Sequence, residues 1–233
     1  MTYYPSDTSQ FHFSTVALPG TQDRITINGR TGSGKTQAGA WFLAIAPFHV
    51  QPYTIIDYKR EALFDGCDRI REISLNDIPK EPGVFRVKPL PSQVKEVEDW
   101  LWRIWERGYS GLFIDEGYLL PDKEAFTAIL TTGRSKHIPV YTLSQRPVYL
   151  PRFVFSEADY YMCFHLNDIR DHKTVKQFVP DNDFWDLTKR LPKYNSRWYS
   201  VSTDESFQMR PVPDAVTIMQ KFKQRLEPSR KWI

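Results

Sequence analysis

The sequence predicts an α/β fold, a mostly parallel sheet with helices on both faces, and three observations carry that prediction. Short β-branched or apolar runs recur along the chain, helical patterns separate them, and the first such run leads straight into a glycine-rich loop that opens a helix. Alternation of this kind requires crossover connections that cover both sheet faces, and it puts ligand sites beyond the carboxyl ends of the strands.

The elements follow in order. Residues 1–23 form a polar, mixed extension that ends at Pro19-Gly20, and 24–28 (Arg-Ile-Thr-Ile-Asn) form a strand. A helix is expected over 35–46, stopped by Pro47, with a strand at 53–57 completing a β-α-β unit. A looser stretch holds a short strand at 84–87, then a helix opens near Ser92 and runs to Arg107, closed by Gly108. Strands at 112–115, 140–143 and 160–164 alternate with a helix at 122–131. Two helical segments, 171–178 and 183–189, precede a hairpin over 195–210 and a basic amphipathic helix over 215–226. One domain is expected across all 233 residues: the extension, a core over 24–168, and C-terminal helices and hairpin over 169–233.

Composition bounds the function classes. With 41% hydrophobic, 25% charged and 15% aromatic residues, disorder is excluded. A net charge of +3 permits a polyanionic partner without demanding one. Cys67 and Cys163 stand far apart with no partner at metal spacing, so two buried thiols are expected. The longest apolar stretch, 38–50, is too short to cross a bilayer, and the N-terminus lacks a secretory pattern, so neither a membrane span nor a signal peptide is expected.

The glycine loop carries the chemistry. Gly29-Arg30-Thr31-Gly32-Ser33-Gly34-Lys35-Thr36, between a strand and a helix, is a phosphate-binding P-loop. Its glycines let backbone amides curl around phosphates and the helix offers its positive end. Lys35 is expected on the β- and γ-phosphates of ATP, and the Thr36 hydroxyl on Mg²⁺. Asp115 and Glu116, at the end of an apolar strand, supply the acid that holds magnesium through water and the base that polarises a water aimed at the γ-phosphate. The plainer alternative has Asp115 capping a helix near Pro121 and Glu116 in solvent. A small-molecule kinase shares the loop, but an acid directly after the magnesium aspartate suits hydrolysis rather than exclusion of water. A nucleotide-dependent scaffold is the third option.

Together these motifs resemble the FtsK-HerA superfamily of DNA-pumping ATPases over most of residues 24–166, which implies a RecA-like P-loop fold. Ile55 to Glu61 resembles the Asp-Pro-Lys-Arg stretch after the second strand of that superfamily, with Tyr58 in place of the proline. Thr142 to Pro147 resembles its sensor strand, which implies that Gln145 senses the γ-phosphate. Gly133-Arg134-Ser135 falls where the superfamily carries an arginine finger for the neighbouring subunit's ATP, with Arg146 and Arg152 as weaker candidates.

A core of this length most resembles the genome-packaging ATPases of tailless icosahedral phages and viruses with internal membranes, the tectivirus type. That resemblance implies ATP-driven movement of double-stranded DNA into a preformed capsid by a homo-oligomeric ring, a hexamer. It also implies capsid or membrane vertex proteins as partners, and a place in the host cytoplasm or at a virion vertex. Plasmid or chromosomal DNA transfer and phage morphogenesis are the alternatives within the superfamily.

Other features read as structural. Val97, Leu101 and Ile104 form a helical stripe toward the sheet, leaving Trp100, Trp102 and Trp105 at the core edge or a subunit interface. His49, His137, His165 and His172 have no ligand-spaced partner. Arg170, Lys173, Lys176, Lys221, Lys223, Arg225, Arg230 and Lys231 face either solvent or a DNA channel, and in a ring six copies of such a patch sum into one strong field.

Overall fold

The computed structural model describes residues 19–121, 124–180, 184, 185 and 188–227. Nine strands form one sheet among them: β1 (Arg24–Asn28), β2 (Pro52–Asp57), β3 (Arg71–Glu72), β4 (Gly83–Val87), β5 (Gly111–Asp115), β6 (Val140–Ser144), β7 (Tyr160–Cys163), β8 (Ser196–Ser200) and β9 (Glu205–Met209). Their order is β3-β4-β2-β5-β6-β1-β7-β8-β9, so β1 lies at the centre between β6 and β7. Strands β1 to β7 are parallel to one another, and the β7–β8 and β8–β9 pairs are antiparallel. Every residue of β1, β2, β5, β6 and β7 is buried, the pattern of strands covered on both faces.

Helices α1 (Lys35–Ile45) and α6 (Ala215–Leu226) cover one face, and α2 (Val94–Arg107), α3 (Glu124–Thr132), α4 (Phe153–Ser156) and α5 (Ile169–Lys176) pack against the other core. Val97, Leu101 and Ile104 point into that second core, as their spacing requires. Trp100 joins them in full burial, with its indole donating to the Asp77 carbonyl at 2.9 Å, so it belongs to the core and not to its edge. Trp102 and Trp105 meet edge to face at the α2 surface and are only partly covered.

Several expectations are corrected. The 195–210 hairpin is present as β8 and β9, but it extends the main sheet by pairing β8 with β7, because Trp198 and Tyr199 on alternate faces each have a core to enter. Helix α5 starts at Ile169, two residues early, because the Asp168 carboxylate accepts the Arg170 amide at 2.8 Å and caps it. Of the expected 183–189 helix, residues 183, 186 and 187 lie outside the described residues, as do 122 and 123 of the 122–131 helix, residues 1–18, Arg230 and Lys231. Arg225 is not available to a DNA channel. Its guanidinium donates to the carbonyls of Ala44 at 2.6 Å and Ala46 at 2.8 Å, completing the end of α1, and lies over the Phe48 ring. Both cysteines are buried, and no helix among the described residues is long and apolar enough to cross a membrane.

Gly39 sets how closely α1 can approach the sheet. A Cβ there would meet Leu143 Cδ2 at 2.8 Å and Phe113 Cε2 at 2.9 Å. Gly39→Ala gains about 1 kcal/mol of helix propensity, which offsets a comparable strain, so its stability should stay within about 1 kcal/mol of the parent. Gly39→Val adds two further methyls with no room for them, and should cost about 1–3 kcal/mol, a fall in melting temperature of roughly 3–10 °C by calorimetry.

Candidate active site

The loop between β1 and α1 lies at the carboxyl edge of the sheet, where Gly32 (φ 73°) and Gly34 (φ 95°) take left-handed backbone that lets successive amides face one point. Gly29 has no room for a side chain, since a Cβ would meet Ser33 Oγ at 2.6 Å and Phe164 Cβ at 2.7 Å. Arg30 and Thr31 are exposed at the loop tip, Ser33 is buried, and Lys35 and Thr36 open the helix.

Strand β5 does not touch β1; β6 stands between them. Asp115 and Glu116 nevertheless reach the loop. Thr36 Oγ1 donates to Asp115 Oδ1 at 3.3 Å, and Lys35 Nζ donates to Glu116 Oε1 at 2.6 Å with both side chains almost completely buried. Glu116 is bent inward by a left-handed backbone (φ 60°, ψ 66°), a conformation that costs a non-glycine residue about 1–3 kcal/mol. Its second oxygen accepts the Gln145 amide at 3.0 Å. Asp115 does not cap a helix and Glu116 is not in solvent.

Gln145, at the end of β6, ties the two halves together. Its side-chain oxygen accepts the Thr31 hydroxyl and its Nε2 donates to Tyr118 Oη at 3.1 Å. Sequence reasoning missed two members of this group, Tyr118 and Lys59. Lys59 Nζ donates to Glu116 Oε1 at 2.7 Å and lies 3.8 Å from Asp115 Oδ2. The signal for it is the register, because Asp57 at the end of β2 pairs with Asp115, which carries the residues after Asp57 over the carboxylates.

The charges perturb one another. Burial pushes the Asp115 carboxyl up to about 6, against the pull of Lys59 and Lys35. Burial would raise Glu116 too, but Lys35, Lys59 and the Gln145 amide together hold it below the ordinary glutamate range. Burial lowers Lys59, but Glu116, Asp115 and Glu61 together outweigh it and leave the ammonium above its usual value.

The donor set suits a small hard cation. Asp115 Oδ2 is buried and accepts no hydrogen bond, and the Thr36 hydroxyl stands beside its partner oxygen. Among the described residues no cluster of three or more His, Cys, Asp or Glu can hold a metal, so a cation here needs phosphate oxygens and water to complete its shell, as Mg²⁺ does with nucleotides.

Arg134 stands apart from all of this. Its guanidinium pairs with Asp159 at 2.7 Å, and Asp159 accepts the amide of Arg24, the first residue of β1. It therefore sits at the amino edge of the sheet, about 13 Å of strand away from the loop at the other end of β1. It cannot serve the site of its own chain. Arg146 is held by Asp168 at 2.9 Å and Asp171 at 3.1 Å, and Arg152 covers the Phe178 ring.

No protein-family model matches the chain. It is 38% identical over 220 residues to the DNA packaging ATPase P9 of Enterobacteria phage PRD1, covering 89% of this chain and 95% of that one. The genome packaging NTPase B204 of Sulfolobus turreted icosahedral virus 2, solved with AMPPCP, superposes with a TM-score of 0.68 at 19% identity, covering 84% of this chain and all of that one. The cytoplasmic domain of the Thermomonospora curvata type VII secretion ATPase EccC shares the fold at a TM-score of 0.56 and 15% identity, covering 87% of this chain and 28% of that longer one. With more than a third of its residues shared across nearly the whole of both chains, this protein belongs to the family of the PRD1 DNA packaging ATPase P9.

Proposed function

We propose that this chain is an ATP-driven motor that moves double-stranded DNA, packaging a viral genome into a preformed capsid. The observation that carries the reading is Glu116, a dry, strained carboxylate aimed at the loop lysine, one residue after an acid suited to magnesium. An acid so aligned serves water attack on a γ-phosphate better than transfer to a bound hydroxyl. Family membership supplies the polymer, since the PRD1 relative is a DNA packaging ATPase.

In this reading the loop amides and Lys35 take the β- and γ-phosphates, and Thr36 with Asp115 holds magnesium. Magnesium held there by Thr36 and Asp115 would neutralise phosphate charge as it develops. Drawn to phosphate, Lys35 leaves Glu116, whose freed oxygen accepts the proton of the attacking water while the bond from phosphorus to the β-phosphate oxygen breaks. Lys59 keeps Glu116 in position through this exchange. Gln145, between Thr31 and Tyr118, registers the γ-phosphate and passes its loss to β6. Arg134 serves the site of a neighbouring subunit, so the working unit is a ring, by resemblance a hexamer, anchored on capsid or membrane vertex proteins. Exposed Lys173 and Lys176 are candidates for the DNA backbone.

Glu116→Gln should bind ATP as well as the parent or better, because a negative charge near the γ-phosphate is gone, while turnover falls about 10²–10⁴-fold. Isothermal titration beside a phosphate-release assay checks both halves, and parallel loss of binding and turnover would return Glu116 to a structural role.

Double-stranded DNA should stimulate ATP turnover, and the stimulation should fade as salt rises from 50 to 200 mM, since phosphate contacts release counterions. Turnover indifferent to DNA in an established oligomer would favour the kinase or scaffold.

Arg134→Ala should bind ATP normally and hydrolyse it roughly 10³-fold more slowly. Mixed with Glu116→Gln after subunit exchange, it should regain measurable activity, because some sites then combine an intact Glu116 with an intact Arg134. Co-assembled mixtures that remain inactive would remove Arg134 from the neighbour's site.

A further inference from the structure

Arg24, the first residue of β1, is a buried charge that the phosphate loop does not use. It is 2% exposed, its Nε and Nη1 meet no hydrogen-bond partner, and its Nη2 reaches the Ile129 carbonyl at a long 3.4 Å. A guanidinium so poorly matched costs stability, which calls for a reason. We propose that Arg24 is a positioning residue for Arg134: it competes with Arg134 for the charge of Asp159, so that Arg134 docks there only loosely, and it stays as the counter-charge of Asp159 when Arg134 extends to the neighbouring subunit's ATP. The inference rests on the reading of Arg134 as a group that serves the next subunit, and deepens it by naming what governs its release.

The surrounding backbone is fixed at several points. Ile25 and Ile27 enter the core beside α1, so strand alternation turns Arg24 to the opposite face, under the end of α3. The Ile129 carbonyl that Arg24 Nη2 touches also accepts the Gly133 amide at 3.0 Å, which sets the guanidinium at the base of the turn that carries Arg134. That turn is closed on itself: the Gly133 carbonyl accepts the amides of Lys136 at 3.1 Å and Ile138 at 2.9 Å, and the Arg134 carbonyl accepts that of His137 at 3.0 Å. Asp159 is held just as firmly, since its amide donates to the Arg24 carbonyl at 2.9 Å and its Oδ2 accepts the Arg24 amide at 2.8 Å. The part free to move is the Arg134 side chain, 46% exposed and held down by its 2.7 Å pair with Asp159 Oδ1.

Charge balance decides how firmly that pair holds. An exposed ion pair is weak to begin with, and a second guanidinium behind the carboxylate weakens it further. Arg24 feels the same competition: burial and then Arg134 bring its guanidinium below the ordinary arginine value, against the opposing pull of Asp159, Glu157 and Asp23. When the Arg134 side chain swings away, Asp159 keeps the Arg24 amide on Oδ2 and the Arg24 guanidinium as a nearby cation, and the repulsion between the two guanidiniums ends. Departure therefore strands no carboxylate. Without Arg24, Asp159 would turn its full charge on Arg134 and hold it back.

The test uses the full-length protein in its assembled form, with melting temperature, ATP binding and ATP turnover as readouts. Arg24→Met, which fills the space without the charge, should melt no lower than the parent, because an apolar chain in place of an unmatched buried ion is neutral or stabilising. It should bind ATP as the parent does and turn it over roughly two- to fivefold more slowly, the reach of one surface ion pair. Arg24→Lys, which keeps the charge, should keep parent turnover. Adding Asp159→Asn to Arg24→Met should restore turnover, since the amide still accepts from the backbone of residue 24 but no longer holds Arg134; a merely structural Arg24 would leave the double variant no faster. Asp159→Asn alone should hydrolyse ATP at least as fast as the parent, a result that does not depend on Arg24→Met folding. Parent turnover in Arg24→Met, a slowing that Asp159→Asn does not reverse, or slower turnover in Asp159→Asn alone would each overturn the proposal. Parent turnover in Arg134→Ala would instead overturn the reading of Arg134 on which it rests.

Discussion

Lys35 and Glu116 meet at 2.6 Å with both charges almost wholly removed from water, and the arrangement of the carboxyl edge follows from the need to satisfy them. A buried charge that loses its partner costs about 3–5 kcal/mol, so neither group can be left alone. Glu116 spreads its charge over Lys35, Lys59 and the Gln145 amide, and to do so it accepts a backbone conformation that a glutamate ordinarily avoids. The three strands on one flank of β1, namely β6, β5 and β2, each lead into one member of this network: Gln145, Glu116 and Lys59. The strand order is thus read directly in the charge network: β5 brings the carboxylates, β6 the amide between them and the loop, and β2 the second lysine from beyond. On the proposed function, a triphosphate entering the loop would replace one buried anion with another as the partner of Lys35, so that binding would exchange ion pairs and leave no bare charge, Glu116 keeping Lys59.

The other end of α1 is anchored as firmly as its start. Arg225 fills the carbonyls that helix termination leaves open, and Gln37 ties the first turn to Pro213, so the C-terminal segment grips α1 at both ends. Trp198 of the hairpin stacks on Phe42 of α1 at 5.2 Å and on Tyr160 of β7 at 5.1 Å. Trp198 of β8 and Ile218, Met219 and Phe222 of α6 are therefore part of the same core as the loop helix, and they cannot shift without moving it.

Much of this was legible in the sequence for local reasons. The loop announced itself through glycine spacing between a strand and a helix, and β5 through an apolar run ending in two acids. What stayed hidden depended on partners far away in the chain. Nothing near Ser196 reveals that its strand pairs with Cys163 and its neighbours, because antiparallel partner choice is settled by which cores the alternating side chains enter. Lys59 is two residues past a strand end and has meaning only once Asp57 is known to lie against Asp115. Arg225 belongs to a basic run that looks solvated until its helix is docked against α1. Short elements such as β3, with two residues, and α4, with four, are below the length at which periodicity speaks.

The separation of Arg134 from the phosphate loop, at opposite edges of one sheet, restricts the symmetry of any assembly in which the first serves the second. Two copies related by a twofold axis could join these edges only by lying side by side with their strands antiparallel, each Arg134 reaching the other's loop, and the assembly would end at two. A head-to-tail contact instead hands each Arg134 to the next loop in line, and such a contact repeats indefinitely unless its rotation closes. Closure into a ring is then a geometric condition on the angle between successive subunits. An error of a few degrees in that angle would give an open helical filament built from the same contacts.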